Sequence, residues 1–101
     1  MNALYIPNTF TLFGHKYMVE WVDDLMHNAD RYGEAVLREN KIRLQVSTSG
    51  CPRSQQELEH TYLHELLHCI LYRLGYEDLK SDEQFVETVS GLLHQALITA
   101  E

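Results

Sequence analysis

The chain has 101 residues, 45% of them apolar and 23% charged, a composition typical of one small globular domain rather than of a disordered segment. Its net charge of −7 disfavours nucleic acid as a partner, because affinity for a phosphate backbone comes from Lys and Arg. No apolar run approaches the ~20 residues that cross a bilayer, and residues 1–10 lack the basic region and apolar run of a secretory signal. We therefore expect a cytoplasmic protein that contacts no membrane and in which Cys51 and Cys69 remain free thiols.

The first half of the chain predicts a small antiparallel sheet. Residues 9–12 are β-branched or aromatic and lead to a turn at Gly14. Tyr17, Val19 and Trp21 then recur at every second position, the period of a half-buried strand. These features indicate two strands joined by a tight turn.

A second pair of strands is expected further along. Residues 23–28 are compatible with a short helical turn or with a loop. The segments 33–37 and 41–46 flank the polar connection 38–40 and predict a hairpin, whose second arm alternates regularly. That arm is either an ordinary strand or an edge that pairs with an extended peptide. Residues 47–54 form the loop-rich stretch that ends the sheet.

A long helix is predicted after this loop. Ser54 is a favourable N-cap, Glu57 completes a capping box three residues later, and Gly75 is a typical residue just beyond a helix end at Leu74. The predicted apolar stripe of this helix is Leu63, Leu66, Leu67, Ile70 and Leu74. We therefore expect its core-facing side along that stripe.

A second helix is predicted from Ser81 as N-cap to near the C-terminus, with two acidic residues in its first turn. Its helically spaced apolar residues are Phe85, Val86, Val89, Leu92, Leu93, Ala96 and Leu97. They centre on Val89, Leu93 and Ala96. The predicted fold class is α+β: a minimal domain in which an antiparallel sheet of three or four strands precedes two helices.

The first helix carries the sequence His64-Glu65-Leu66-Leu67-His68, an H-E-x-x-H pattern. In this pattern two imidazoles four residues apart bind zinc, and the Glu acts as general base. The two histidines lie about 40° apart around the helix, on the flank of the predicted apolar stripe. A flank position suits a partly buried metal that must also admit substrate.

The second helix offers the third ligand that a catalytic zinc site requires. Glu83 and Glu87 lie four residues apart on one flank, and two histidines with one Glu are a standard ligand set. Either carboxylate could bind the metal. Glu83 is preferred because Glu87, one turn on, could then accept the other ring N–H of a ligating His. If Glu87 were the ligand, the residue one turn on would be Gly91, which has no side chain.

The motif region resembles the gluzincin branch of zinc metallopeptidases, and more closely the small ImmA/IrrE-like and phage-encoded metallopeptidases. The resemblance covers residues 33–97 and is sharpest over His64 to Glu87. It implies a zincin-like fold with His64, His68 and Glu83 as zinc ligands and Glu65 as catalytic base. Where the larger gluzincins have Asp, this chain has Glu87. The region also resembles the H-G-x-x-H motif of YbeY-type endoribonucleases, but Glu65 replaces the Gly.

Two functional hypotheses follow. The first is a zinc-dependent hydrolase, a metallopeptidase acting on a peptide or protein substrate. The second is a catalytically silent regulatory or protein-binding module in which zinc holds the helices together. A purely structural site would need a fourth protein ligand, with His60, His94 and Cys69 as candidates.

Overall fold

The computed structural model describes residues 3–23, 32–48 and 50–101. Most of the segment 23–28, for which either a helical turn or a loop was predicted, lies outside these residues. The strands are β1 (Thr9–Leu12), β2 (His15–Val22), β3 (Gly33–Val36), β4 (Lys41–Gln45), β5 (Ser47–Thr48) and β6 (Cys51–Pro52). The α-helices are α1 (Gln55–Leu74), α2 (Glu77–Lys80) and α3 (Glu83–Thr99).

The main sheet has four strands in the order β1-β2-β4-β3, and helices follow it, so the predicted α+β class is confirmed. The β1–β2 and β3–β4 pairs are antiparallel, as expected. The prediction of an entirely antiparallel sheet is wrong at its centre, where β2 and β4 run parallel with Met18 opposite Lys41. The reason is that the β3–β4 hairpin places its second arm, not its first, against β2.

This arrangement makes β4 an interior strand and β3 an edge strand in the described part of the chain. The side chains of Ile42 and Leu44 are fully buried, which suits a strand with neighbours on both sides. The interpretation of residues 41–46 as a peptide-binding edge is therefore wrong. Between the two arms, a 3-10 turn (Leu37–Glu39) ends at Asn40, which adopts the left-handed conformation with φ 52°.

The core forms where one face of the sheet packs on α1. Its buried residues are Tyr17, Val19, Ile42, Leu44, Tyr62, Leu63 and Cys69. Burial of each large apolar side chain contributes about 1.5–3 kcal/mol of stability. The predicted stripe of α1 is only partly correct, since Leu63 is buried whereas Leu74 is exposed. Both cysteines are free thiols, as predicted, with Cys51 exposed and Cys69 in the core.

The ends of α1 agree with the sequence. Ser54 Oγ accepts the Glu57 N–H, and the Glu57 carboxylate accepts the Ser54 N–H, each at 3.1 Å. Gly75 closes the helix with φ 80°. The short helix α2 was not predicted, and it shifts the next N-cap by one residue. Ser81 N–H still bonds to an α2 carbonyl, so Asp82 rather than Ser81 caps α3.

The packing face of α3 also differs from the prediction. The buried residues of α3 are Val86, Ser90, His94 and Ile98. The predicted centre at Val89, Leu93 and Ala96 is wrong, since Leu93 and Ala96 are exposed. In this orientation His94 reaches a buried partner on α1, Glu59. Among the described residues, no helix combines the length and apolarity needed to cross a membrane.

Candidate metal centre

Three predicted ligand residues come together at the junction of α1 and α3. Glu83 Oε2 lies 3.1 Å from His64 Nε2, and Glu83 Oε1 lies 3.0 Å from His68 Nε2. One ligand atom from each residue can be chosen so that all three lie within 4.8 Å of one another. Two nitrogens and one oxygen therefore surround a space in which a single cation could contact all three residues.

Local structure explains why these side chains converge. His64 and His68 occupy successive turns of α1, and their ring centroids are 5.0 Å apart. The helix α2 reverses the chain after Gly75, so that α3 begins beside these rings. Asp82 Oδ1 accepts the Phe85 N–H at 3.0 Å, and this cap makes Glu83 the first residue of α3.

Each histidine also has a partner on its other side. Glu87 Oε2 lies 3.3 Å from His64 Nδ1, one helical turn beyond Glu83. The His68 ring hydrogen-bonds to the backbone of Lys80, at the end of α2. Such contacts hold an imidazole in one orientation and one tautomer. Glu83 contacts the Nε2 atoms of both rings, whereas Glu87 contacts Nδ1 of His64.

The donor set fits zinc. Two imidazoles and one carboxylate are a common set of protein ligands at catalytic zinc sites. Burial lowers the pKa of His68, with His64 adding to this effect, while Glu83 and the Lys80 backbone oppose it only in part. Because a metal binds the neutral imidazole, a lowered pKa favours the metal-binding form of His68.

Glu65 lies next to His64 on α1 and is buried, with 8% of its surface exposed. Its side chain lines the same cleft as His64, His68 and Glu83. A carboxylate that lines the cleft beside three candidate metal ligands is a candidate general base.

The cleft itself has a volume of about 770 Å³ and lies between α1, β3 and the start of α3. This volume falls within the range of small-molecule and peptide sites. Gln45 N–H donates to Tyr32 O at 3.0 Å on the β4 side. Because paired residues in an antiparallel ladder alternate in the direction of their hydrogen bonds, the N–H and C=O groups of Gly33 and Ala35 point away from β4. They face the side of β3 on which none of the described strands lies.

The other candidate ligands lie apart from the three-residue group. His60 Nε2 lies 2.7 Å from Glu87 Oε1, and His94 Nε2 lies 2.7 Å from Glu59 Oε1. Cys69 is a core residue, and burial raises the pKa of its thiol to about 12. Within the described part of the chain, none of the three joins His64, His68 and Glu83.

Sequence reasoning missed two features around the site. The first is the Glu59–His94 pair, which joins residues 35 positions apart and has no local signal. The second is the close approach of Gly33 to α1. A glycine at the start of a predicted strand was a signal for close packing, but it did not identify the residues packed against it.

Searches against protein-family models, curated proteins and solved structures found no match to this chain. The functional assignment therefore depends on the geometry and chemistry of the chain's own residues.

Proposed function

We propose that this protein is a zinc-dependent hydrolase, specifically a small metallopeptidase. The observation that carries the proposal is the convergence of His64, His68 and Glu83 in a cleft that Glu65 also lines. When bound, zinc would activate a water molecule and polarise the scissile carbonyl group. The three converging residues would be its protein ligands, with Glu87 orienting His64.

Glu65 would supply the proton transfer. Its carboxylate would accept a proton from the attacking water and then donate that proton to the leaving amine. Its burial in the cleft supports this role, because it limits competing contact with bulk solvent. Glu65 would carry out both proton transfers, so the proposed mechanism needs no second side chain as general acid for the leaving amine.

In the described part of the chain β3 has a neighbouring strand on one side only, and this edge supports a peptide as the substrate class. An extended peptide could add to this edge through the N–H and C=O groups of Gly33 and Ala35, which line the cleft. Main-chain pairing of this kind would hold the scissile bond beside Glu65. The free thiols Cys51 and Cys69 are consistent with the reducing cytoplasm, the compartment that we propose.

The catalytically silent module is less well supported. A structural zinc site has four protein ligands, but His60 and His94 pair with other carboxylates in the described structure. Cys69 is buried in the core. A position left open to water and substrate is what the enzyme hypothesis requires.

The decisive experiment is Glu65→Gln. We expect this variant to bind zinc as the wild type does and to lose about 10²–10⁴-fold in peptide hydrolysis, because the general base is removed. Zinc content is measured by elemental analysis and turnover with a library of unstructured peptides. Glu101→Gln, an exposed change at the C-terminus, is the matched control.

Two results would contradict the proposal. Undiminished turnover by Glu65→Gln would remove Glu65 from the mechanism. Purified wild-type protein that cannot be loaded with zinc at neutral pH would exclude the enzyme and the silent module together.

A further inference from the structure

Gly33 lies unusually close to α1 at the start of β3. A Cβ atom built on this residue would be 2.5 Å from Thr61 Cγ2, 3.2 Å from Glu65 Cγ and 3.3 Å from the Arg43 carbonyl oxygen. The first of these distances is sterically impossible without movement. The edge strand can therefore approach the motif helix this closely only because residue 33 has no side chain.

The surroundings of Gly33 leave little freedom to relieve such a clash. Arg53 Nη2 donates to Thr61 Oγ1 at 2.6 Å, and Arg53 Nη1 donates to the carbonyl oxygens of Tyr32 and Gln45 at 3.1 and 3.0 Å. One guanidinium group thus joins α1 to the residue that precedes Gly33 and to the end of β4. Helix and sheet are held together at the point where an added side chain would separate them.

We propose that Gly33 is a positioning residue that sets the placement of Glu65 in the cleft. This inference rests on the proposed function for its catalytic consequence, but its packing basis does not depend on it. A side chain at position 33 would press on Thr61 and Glu65. None of the three atoms nearest the added Cβ belongs to His64 or His68, so the base would be displaced before the metal ligands.

Denaturation of the metal-free protein tests the packing. We expect Gly33→Ala to lower Tm by about 5–15 °C, the usual result of overpacking in a domain of this size. Gly91→Ala is the matched control, because its added Cβ would lie 3.6 Å from the nearest His60 atom, an ordinary contact. This control should melt at the wild-type temperature or above, since Ala favours a helix more than Gly does.

Two second-site variants identify the atoms responsible. Thr61→Ser removes the methyl group at 2.5 Å but keeps the hydroxyl that binds Arg53. Glu65→Ala removes the Cγ atom at 3.2 Å. Each should reduce the Tm loss that Gly33→Ala causes, when measured against the corresponding single variant. A Gly33→Ala protein as stable as the wild type, or a loss that neither variant reduces, would overturn the inference.

Kinetics of the zinc-loaded protein test the catalytic consequence. The pair Gly33→Ala with Thr61→Ser, compared with Thr61→Ser alone, should keep its zinc affinity and KM while kcat falls about 10- to 100-fold, the effect of a misplaced catalytic group. An unchanged kcat would contradict the positioning role. Wild-type protein without zinc uptake or turnover would instead refute the proposed function, while the denaturation result would still decide how Gly33 packs.

Discussion

Glu59 is a buried carboxylate that connects three parts of the chain. Only 1% of its surface is exposed. Its oxygens accept hydrogen bonds from the Leu4 backbone N–H and from Gln55 Nε2, both at 3.0 Å, and contact His94 Nε2 at 2.7 Å. A buried charge is tolerated only when it is paired in this way. The N-terminal segment, α1 and α3 are thus joined through one side chain.

We expect Glu59→Gln to destabilise the protein by about 1–3 kcal/mol, because the single amide oxygen cannot accept all three hydrogen bonds. Urea denaturation measures the change. Glu101→Gln, at the exposed C-terminus, changes the net charge equally and should leave the stability unaltered. Equal stability of the two variants would show that the Glu59 contacts contribute nothing net.

The hydrogen bonds of Glu59 should also make the free energy of unfolding depend on pH in the acid range. Burial raises the pKa of Glu59, but the bonds from His94, Gln55 and the Leu4 N–H outweigh burial, so the pKa lies below its usual value of 4.5. A depressed carboxyl pKa stabilises the fold above the unfolded-state pKa, and that stability is lost as pH falls through the folded-state value. Between about pH 5 and pH 3, the wild type should therefore lose more stability than Glu59→Gln does.

The start of α3 determines where Glu83 lies, because Glu83 is the first residue of that helix. We expect Asp82→Ala to cost about 1 kcal/mol and to weaken zinc binding, since the Phe85 N–H loses its acceptor and the first turn frays. Ser81→Ala is the matched control, because Ser81 is not the cap and should tolerate the change. Thermal denaturation and zinc titration measure both effects. A larger cost at Ser81 would contradict the observed cap.

Local signals in the sequence were sufficient to predict α1 and the β3–β4 hairpin. The Ser54–Glu57 capping box and Gly75 act over three or four residues, and the alternation in β4 reports burial directly. The juxtaposition of His64 and His68 followed from helix phase alone. Glu83 could be proposed because the connection to α3 is short.

Features set by tertiary contacts could not be predicted. The direction of β4 relative to β2 depends on which arm of the hairpin enters the sheet, and both arms have strand-like patterns. The packing face of α3 follows from the burial of Ser90 and His94, whereas apolar periodicity indicated a face containing Leu93. A polar residue enters a core only with a partner, and the partner of His94, Glu59, lies on another helix.

In the molecule as a whole, the candidate metal centre bridges α1 and α3, so a bound ion should stabilise the fold. Zinc at 100 times its Kd would add about 2.7 kcal/mol, which raises Tm by about 10–20 °C for a domain of this size. We expect this shift in thermal denaturation and its reversal by a chelator. His68→Ala should abolish it, whereas His15→Ala, at an exposed position on β2, should retain it.

The contrast between the two cysteines also has a practical consequence. Cys51 is exposed on β6, close to the start of α1, while Cys69 is buried with a thiol pKa of about 12. A thiol-directed fluorophore can therefore be attached at one native site without introducing a new cysteine. The Cys69 thiol becomes reactive only when the core opens, so the rate at which a second label is added reports how often the core opens.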